Sequence, residues 1–75
     1  MERTTFDYSK LKGRIKEKCG SQKAFAERLG VTEATMTAKL NCDTYFTQGE
    51  ILRSSGILEI QQDNLGKYFF TEKVQ

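Results

Sequence analysis

Residues 21–40 of this chain read SQKAFAERLGVTEATMTAKL, and their pattern decides the fold. Ser21 and Thr32 each precede a short helix-forming run, and a hydroxyl at such a position accepts a backbone N–H of the first turn. Gly30 lies between the two runs, where the chain needs a positive φ that glycine adopts without steric cost. The sequence therefore predicts helices over about residues 22–29 and 33–40, joined by a tight turn as in a helix-turn-helix.

Apolar residues at helical spacing can fill the contact between these two helices. Ala26 faces the turn, where a small side chain lets the helices approach closely. The predicted core of the pair consists of Phe25, Leu29, Val31, Met36 and Leu40. Residues 21–41 are therefore expected to form the helix-turn-helix unit of a larger helical domain.

Three further helices are predicted around this unit. Tyr8, Leu11, Ile15 and Cys19 recur at spacings of three and four, which predicts a helix that ends near Cys19 and is capped by Asp7 or Ser9. Thr47 and Glu50 have the spacing of a capping box, which predicts a helix over about residues 48–55 that ends at Gly56, with Ile51 and Leu52 buried. A last helix is expected over about residues 62–69, although residues 69–71 could instead be extended. The expected architecture is one all-α, five-helix domain over residues 1–75.

Composition excludes several classes of function. The chain has 75 residues, a net charge of +2, two cysteines and no histidine. Structural zinc sites need four ligands, and no acidic pair lies beside a plausible nucleophile, so we expect neither a metal, nor a cofactor, nor an enzyme. No apolar run is long enough to cross a membrane and no signal peptide is visible, so we expect a cytoplasmic protein with two free thiols.

A resemblance to a known family rests on the order of residues in and beyond the helix-turn-helix. It includes Gln22, Ala26, Gly30, Thr32 and Met36, and it extends to residues 41, 46–51 and 68–71. In this order the chain resembles the lambda-repressor-like family, in particular small phage Cro-like regulators and modulators of repression. The resemblance implies a five-helix lambda-repressor-like domain that regulates transcription in a lysis–lysogeny switch.

The resemblance also implies which side chains face double-stranded DNA. The candidate DNA-binding residues are Gln22, Lys23, Thr32, Glu33, Ala34, Thr35, Thr37, Ala38 and Lys39. Gln22, Lys23 and Thr32 are expected to contact the DNA backbone. The third helix offers no Arg, Gln or Asn for a bidentate contact with a base, so the expected sequence readout is weak.

The distribution of charge supports a polyanionic partner more than the small net charge does. Residues 1–40 carry nine basic and five acidic residues, whereas residues 41–75 carry three basic and five acidic residues. Six of the basic residues fall within residues 10–23. A basic cluster of this kind is typical of a phosphate-binding face, although it also occurs on an ordinary solvated helix.

Two functions remain open from the sequence. The favoured one is a Cro-like repressor that binds operator DNA as a homodimer. The alternative is a modulator of repression, or antirepressor, that binds the phage repressor protein, which fits the low net charge and the weak readout surface. Phe69 and Phe70 could offer a partner surface, or they could close the core behind the last helix.

Overall fold

The computed structural model describes residues 5–73, which form five α-helices and one short 3₁₀ helix. The helices are α1 (Ser9–Cys19), α2 (Gln22–Leu29), α3 (Glu33–Leu40), α4 (Gln48–Ile57), a 3₁₀ turn (Gln62–Asn64) and α5 (Leu65–Phe69). The predicted all-α class with five helices is confirmed. The parts of the predicted domain at residues 1–4 and 74–75 lie outside the described residues. None of the helices within residues 5–73 is long and apolar enough to cross a membrane.

The two central helices begin and end as their sequence predicts. The Ser21 side chain accepts a hydrogen bond from Ala24 N, and the Thr32 side chain accepts one from Thr35 N. Gly30 has φ 89° and ψ 26°, which is the left-handed conformation that ends a helix. These three residues fix the tight turn that sets α3 against α2.

One apolar core joins all five helices. Its buried members are Tyr8, Leu11, Ile15, Phe25, Ala26, Leu29, Met36, Leu40, Cys42, Phe46, Leu58, Ile60 and Phe69. The predicted contact residues Phe25, Leu29, Met36 and Leu40 are all at most 5% exposed, whereas Val31 is half-buried. Four of the five predicted contact residues are therefore buried in the core that α2 and α3 share.

The two ends of the described chain are paired with each other. Asp7 N donates to Thr71 O at 2.8 Å, and Lys73 N donates to Thr5 O at 3.0 Å, on either side of an antiparallel bridge between Phe6 and Glu72. On its other edge Phe6 contacts Cys42, whose sulfur accepts Phe6 N at 3.3 Å. Within residues 5–73, Cys19 and Cys42 are not joined by a disulfide.

Helix α1 begins differently from the prediction. Its N-cap is Tyr8, which makes no side-chain cap hydrogen bond. The Asp7 carboxylate instead accepts both Ser9 N at 2.9 Å and the Ser9 hydroxyl at 2.6 Å. These hydrogen bonds from Ser9 lower the pKa of Asp7. Asp7 thus satisfies a backbone donor of the first turn from one residue upstream of the cap, and Ser9 is not the cap.

Helix α4 departs from the prediction at its end and in its rotation. The capping box of Thr47 and Glu50 is present, but the helix continues through Gly56 to Ile57. Leu52, expected to be buried, is 58% exposed. One face of the helix carries Glu50, Ser54 and Leu58, which are spaced four residues apart. Because this face points towards the core, Leu52 points towards the solvent. Burial of Leu58, which is 0% exposed, outweighs the small helix propensity of Gly56.

Candidate functional site

The surface of α3 follows directly from the burial of its apolar side. Met36 and Leu40 are four residues apart and both point into the core. The opposite side of the helix is consequently exposed to solvent. Of the nine candidate residues, the exposed ones are Lys23, Thr32, Glu33, Ala34, Thr35 and Thr37, and the half-buried ones are Gln22 and Ala38.

One hydrogen bond brings the start of α2 onto this surface. Gln22 Nε2 donates to Thr37 Oγ1 at 2.8 Å, although the two residues are far apart in sequence. The hydroxyls of Thr32 and Thr35 are also bonded to each other, at 2.9 Å. We call the surface formed by Gln22, residues 32–35, Thr37 and Ala38 the α3 face. Its polar groups are partly satisfied within the protein, and its only charged side chain is the carboxylate of Glu33.

Lys39, the ninth candidate residue, does not lie on the α3 face. It is 6% exposed, and its ammonium contacts Glu50 Oε1 at 2.8 Å. Lys39 Nζ also donates to Tyr45 O at 3.1 Å and lies 5.7 Å from the centre of the Phe46 ring. The structure thus corrects the prediction that this lysine contacts DNA phosphate, because its charge is already neutralised inside the protein.

Glu50 has two structural roles, in the capping box of α4 and in the ion pair with Lys39. Burial disfavours the charged form of Glu50, but hydrogen bonds from Lys39 and from Thr47 N outweigh this effect and lower its pKa. The carboxylate stays ionised at neutral pH and ties α3 to the start of α4. Helical spacing alone placed Lys39 at the edge of the α3 face, and sequence reasoning missed that Glu50 of the next helix reaches it.

Four of the five basic residues of α1 separate into two groups, and the fifth, Lys10, lies 5.4 Å from the centre of the Tyr68 ring. Arg14 donates to Leu58 O and Glu59 O, both at 2.9 Å, and Lys18 pairs with Glu59 at 3.4 Å. These two hold the connector after α4. Lys12 and Lys16 instead line a surface groove together with Ser21 and Gln22. Of these two groups, the second lies beside the α3 face with Lys23 and is available to an anionic partner.

The chain matches one family of known proteins over most of its length. Residues 4–72 match the family DUF739, whose description is a protein of unknown function. The chain belongs to this family. The resemblance to lambda-repressor-like proteins is not confirmed by this match and stays a prediction.

A solved structure is similar to this DUF739 protein over nearly its whole length. It is the solution structure of the modulator of repression (MOR) of the temperate bacteriophage TP901-1 from Lactococcus lactis. The two chains are 43% identical with a TM-score of 0.79, and the match covers 93% of this chain and 95% of the MOR chain. No curated protein matches the chain significantly.

A second surface feature of this DUF739 protein was only partly visible in the sequence. Phe69 is 2% exposed and closes the core, whereas Phe70 is 56% exposed. Phe70 lies at the rim of an aromatic cavity of about 470 Å³ to which none of the nine candidate residues contributes. Sequence reasoning singled out Phe70 but missed Phe6, Tyr45 and Glu72 on the same rim. They come from three distant segments, and no local pattern connects them.

Proposed function

We propose that this protein is a phage modulator of repression that acts by binding the repressor protein of its phage. The observation that carries the proposal is the 43% identity to MOR of phage TP901-1 over 93% of the chain. The protein would act by binding rather than by catalysis, in the cytoplasm of the bacterial host. The contact with the repressor is our inference from the surface described above.

The chemistry of the α3 face fits a protein partner better than the edges of DNA bases. Its exposed side chains are hydroxyls and methyls with a single carboxylate, Glu33, which phosphates would repel. Short side chains let another backbone approach closely, and a lone carboxylate can pair with a basic side chain of a DNA-binding protein. Burial of Lys39 removes the one cation that α3 could have offered to phosphate.

Direct binding of operator DNA as a Cro-like homodimer is the second candidate function. The observation in its favour is the groove of Lys12, Lys16 and Gln22 beside the α3 face. Lysines in such a position contact phosphates, which orients a protein on DNA without reading sequence. We therefore expect any DNA binding by this protein alone to be weak, to depend strongly on salt and to have little sequence preference.

A charge reversal on the α3 face separates the two functions. Glu33→Lys adds a cation where DNA phosphates would attract it and where a basic repressor surface would repel it. We expect calorimetry with the purified phage repressor to show a loss of binding of about tenfold or more, because like charges meet in the interface. Fluorescence anisotropy with operator DNA should show unchanged or stronger binding by the same variant.

Asp63→Lys is the matched control, because Asp63 is exposed in the 3₁₀ turn and outside the α3 face. This variant should bind the repressor as the wild type does. Failure of the wild-type protein to bind the repressor would refute the proposal. If Glu33→Lys still binds the repressor but no longer binds operator DNA, the result would favour the Cro-like function instead.

A further inference from the structure

The aromatic cavity has a closed floor and an open rim. Its floor consists of the buried rings of Tyr8, Phe46 and Phe69, which pack edge to face at centroid distances of 5.7 Å and 5.3 Å. Its rim carries the more exposed Phe6, Tyr45 and Phe70, whose rings meet at 73° and 78°. A volume of about 470 Å³ lies within the range of natural ligand pockets, about 300–1,000 Å³.

The rim is held in place by the backbone rather than by the aromatic contacts alone. Phe6 and Glu72 form the antiparallel bridge that pairs the two ends of the described chain. The sulfur of Cys42 contacts both the N–H and the carbonyl of Phe6, at 3.3 Å and 3.6 Å. These segments are therefore already ordered before a partner binds. The entropy cost of ordering them on binding is small, which favours binding.

The charge on the cavity is a single carboxylate. Glu72 lies on the lining and makes no ion pair with the described residues, and no lysine or arginine lines the cavity. Lys73 belongs to the neighbouring groove with Asp7 and Lys12, as expected from the alternation of side chains along an extended segment. The nearby Lys39 is already neutralised by Glu50.

The phenol on the floor adds no second charge. Burial, followed by the proximity of Cys42 and Tyr45, raises the pKa of Tyr8 to about 12. The cavity thus combines several ring faces with one negative group at neutral pH. Ring faces attract cations within about 6 Å of their centroids, and Arg is the cation most often found there.

We propose that this cavity binds a basic side chain, arginine or lysine, of a partner protein. The side chain would lie across the cavity, with its charged group against Glu72 and the rim rings of Phe6, Tyr45 and Phe70 and its methylene stem above the floor. Identification of that partner as the phage repressor rests on the proposed function, since a repressor exposes basic side chains to bind phosphate. The basic group would then be unavailable to operator DNA.

The cavity can be tested without any partner. We would titrate the ¹⁵N-labelled protein with N-acetyl-arginine amide and, in parallel, with N-acetyl-citrulline amide, its uncharged isostere. We expect the arginine probe to shift the amide resonances of Phe6, Phe70 and Glu72 and the citrulline probe to shift them far less. Equal shifts with both probes, or no shifts with either, would overturn the proposal.

Two variants identify the groups responsible. Glu72→Gln removes the charge at constant shape, and Phe70→Leu removes the ring but keeps an apolar side chain. Each should weaken binding of the arginine probe and of the repressor about fivefold, the scale of one exposed cation–π contact or ion pair. Both residues are exposed, so the thermal unfolding of the variants should match that of the wild type.

Asp63→Asn and Leu52→Ala are the matched controls, because Asp63 and Leu52 are exposed and lie outside the cavity lining. Both should bind as the wild type does. Suppose that the affinity for the repressor is unchanged in Phe70→Leu, whether or not it is also unchanged in Glu72→Gln. This result would show that the cavity does not bind a cation of this partner. If the arginine probe binds but the wild-type protein does not bind the repressor, the cavity is supported and only the proposed function fails.

Discussion

Helix α3 contacts α2 through apolar side chains and α4 through a buried ion pair. Phe25, Leu29 and Met36 join the first pair of helices in the common core. Lys39 and Glu50 join the second pair at 2.8 Å. Apolar burial is non-directional and tolerates small shifts, whereas an ion pair stabilises only when both partners are present and correctly placed. The first contact thus holds α3 in the fold, and the second sets where α4 begins relative to it.

The largest expected effect comes from the apolar contact. Met36→Ala should lower the free energy of unfolding by roughly 2–5 kcal/mol, because it removes a fully buried side chain and leaves a cavity. Urea unfolding followed by circular dichroism measures the loss. The matched control is Leu52→Ala, an exposed apolar residue whose truncation should change stability by less than about 0.5 kcal/mol. Similar losses for both variants would show that the α2–α3 contact is not the centre of the core.

The ion pair should respond asymmetrically to mutation. Lys39→Met leaves the Glu50 carboxylate buried without its cation, which should cost roughly 2–4 kcal/mol of unfolding free energy. Adding Glu50→Gln to the same protein should recover most of this loss, since no unpaired charge is then buried. Lys67→Met, at an exposed lysine of α5, controls for removal of a positive charge. Additive losses in the double variant would contradict a coupled pair.

The turn before α3 should be sensitive to backbone conformation alone. A Cβ at Gly30 would meet no other atom within 4 Å, but the φ of 89° is strained for any L side chain. Gly30→Ala should therefore cost about 1–2 kcal/mol. Gly13→Ala, where a Cβ in the middle of α1 also meets open space, should instead stabilise by about 0.5–1 kcal/mol. Equal effects of the two substitutions in thermal unfolding would refute the turn geometry.

The smallest expected effect is on the pH dependence of stability, which should differ between the Lys39–Glu50 ion pair and the apolar contact of Met36. The pKa of Glu50 in the folded protein lies below its ordinary value of 4.5. Its contribution to stability is thus fully present above pH 4.5 and is lost as the pH falls through the lower folded value. Between about pH 6 and pH 3 the wild type should lose more stability than Glu50→Gln does, whereas Met36→Ala should follow the wild type. Parallel curves for the wild type and Glu50→Gln would show that the pair does not stabilise the fold.

Sequence reasoning succeeded where a structural signal is local. Ser21, Gly30 and Thr32 each act on backbone groups within a few residues, so the bounds of α2 and α3 follow from their neighbours. It failed where a helix could be rotated in more than one way. Leu52 and Lys39 are placed by the packing of α4 against the rest of the domain, which the pattern within a single helix does not contain.

The sequence by itself determined that five helices form, how α2 and α3 are capped, where α4 begins and which residues of the α2–α3 contact are buried, with Val31 only half-buried. Hydrogen bonds at helix ends and helical periodicity act over a few residues, so these features follow from the local sequence. Only the tertiary structure decided which polar and aromatic groups meet. Lys39 pairs with Glu50, eleven residues away, and therefore does not lie on the α3 face. The rim of the aromatic cavity brings together Phe6 and Glu72, which are separated by almost the whole described chain. Such contacts depend on how complete elements pack against one another, so the surfaces that carry the proposed functions became visible only in the folded protein.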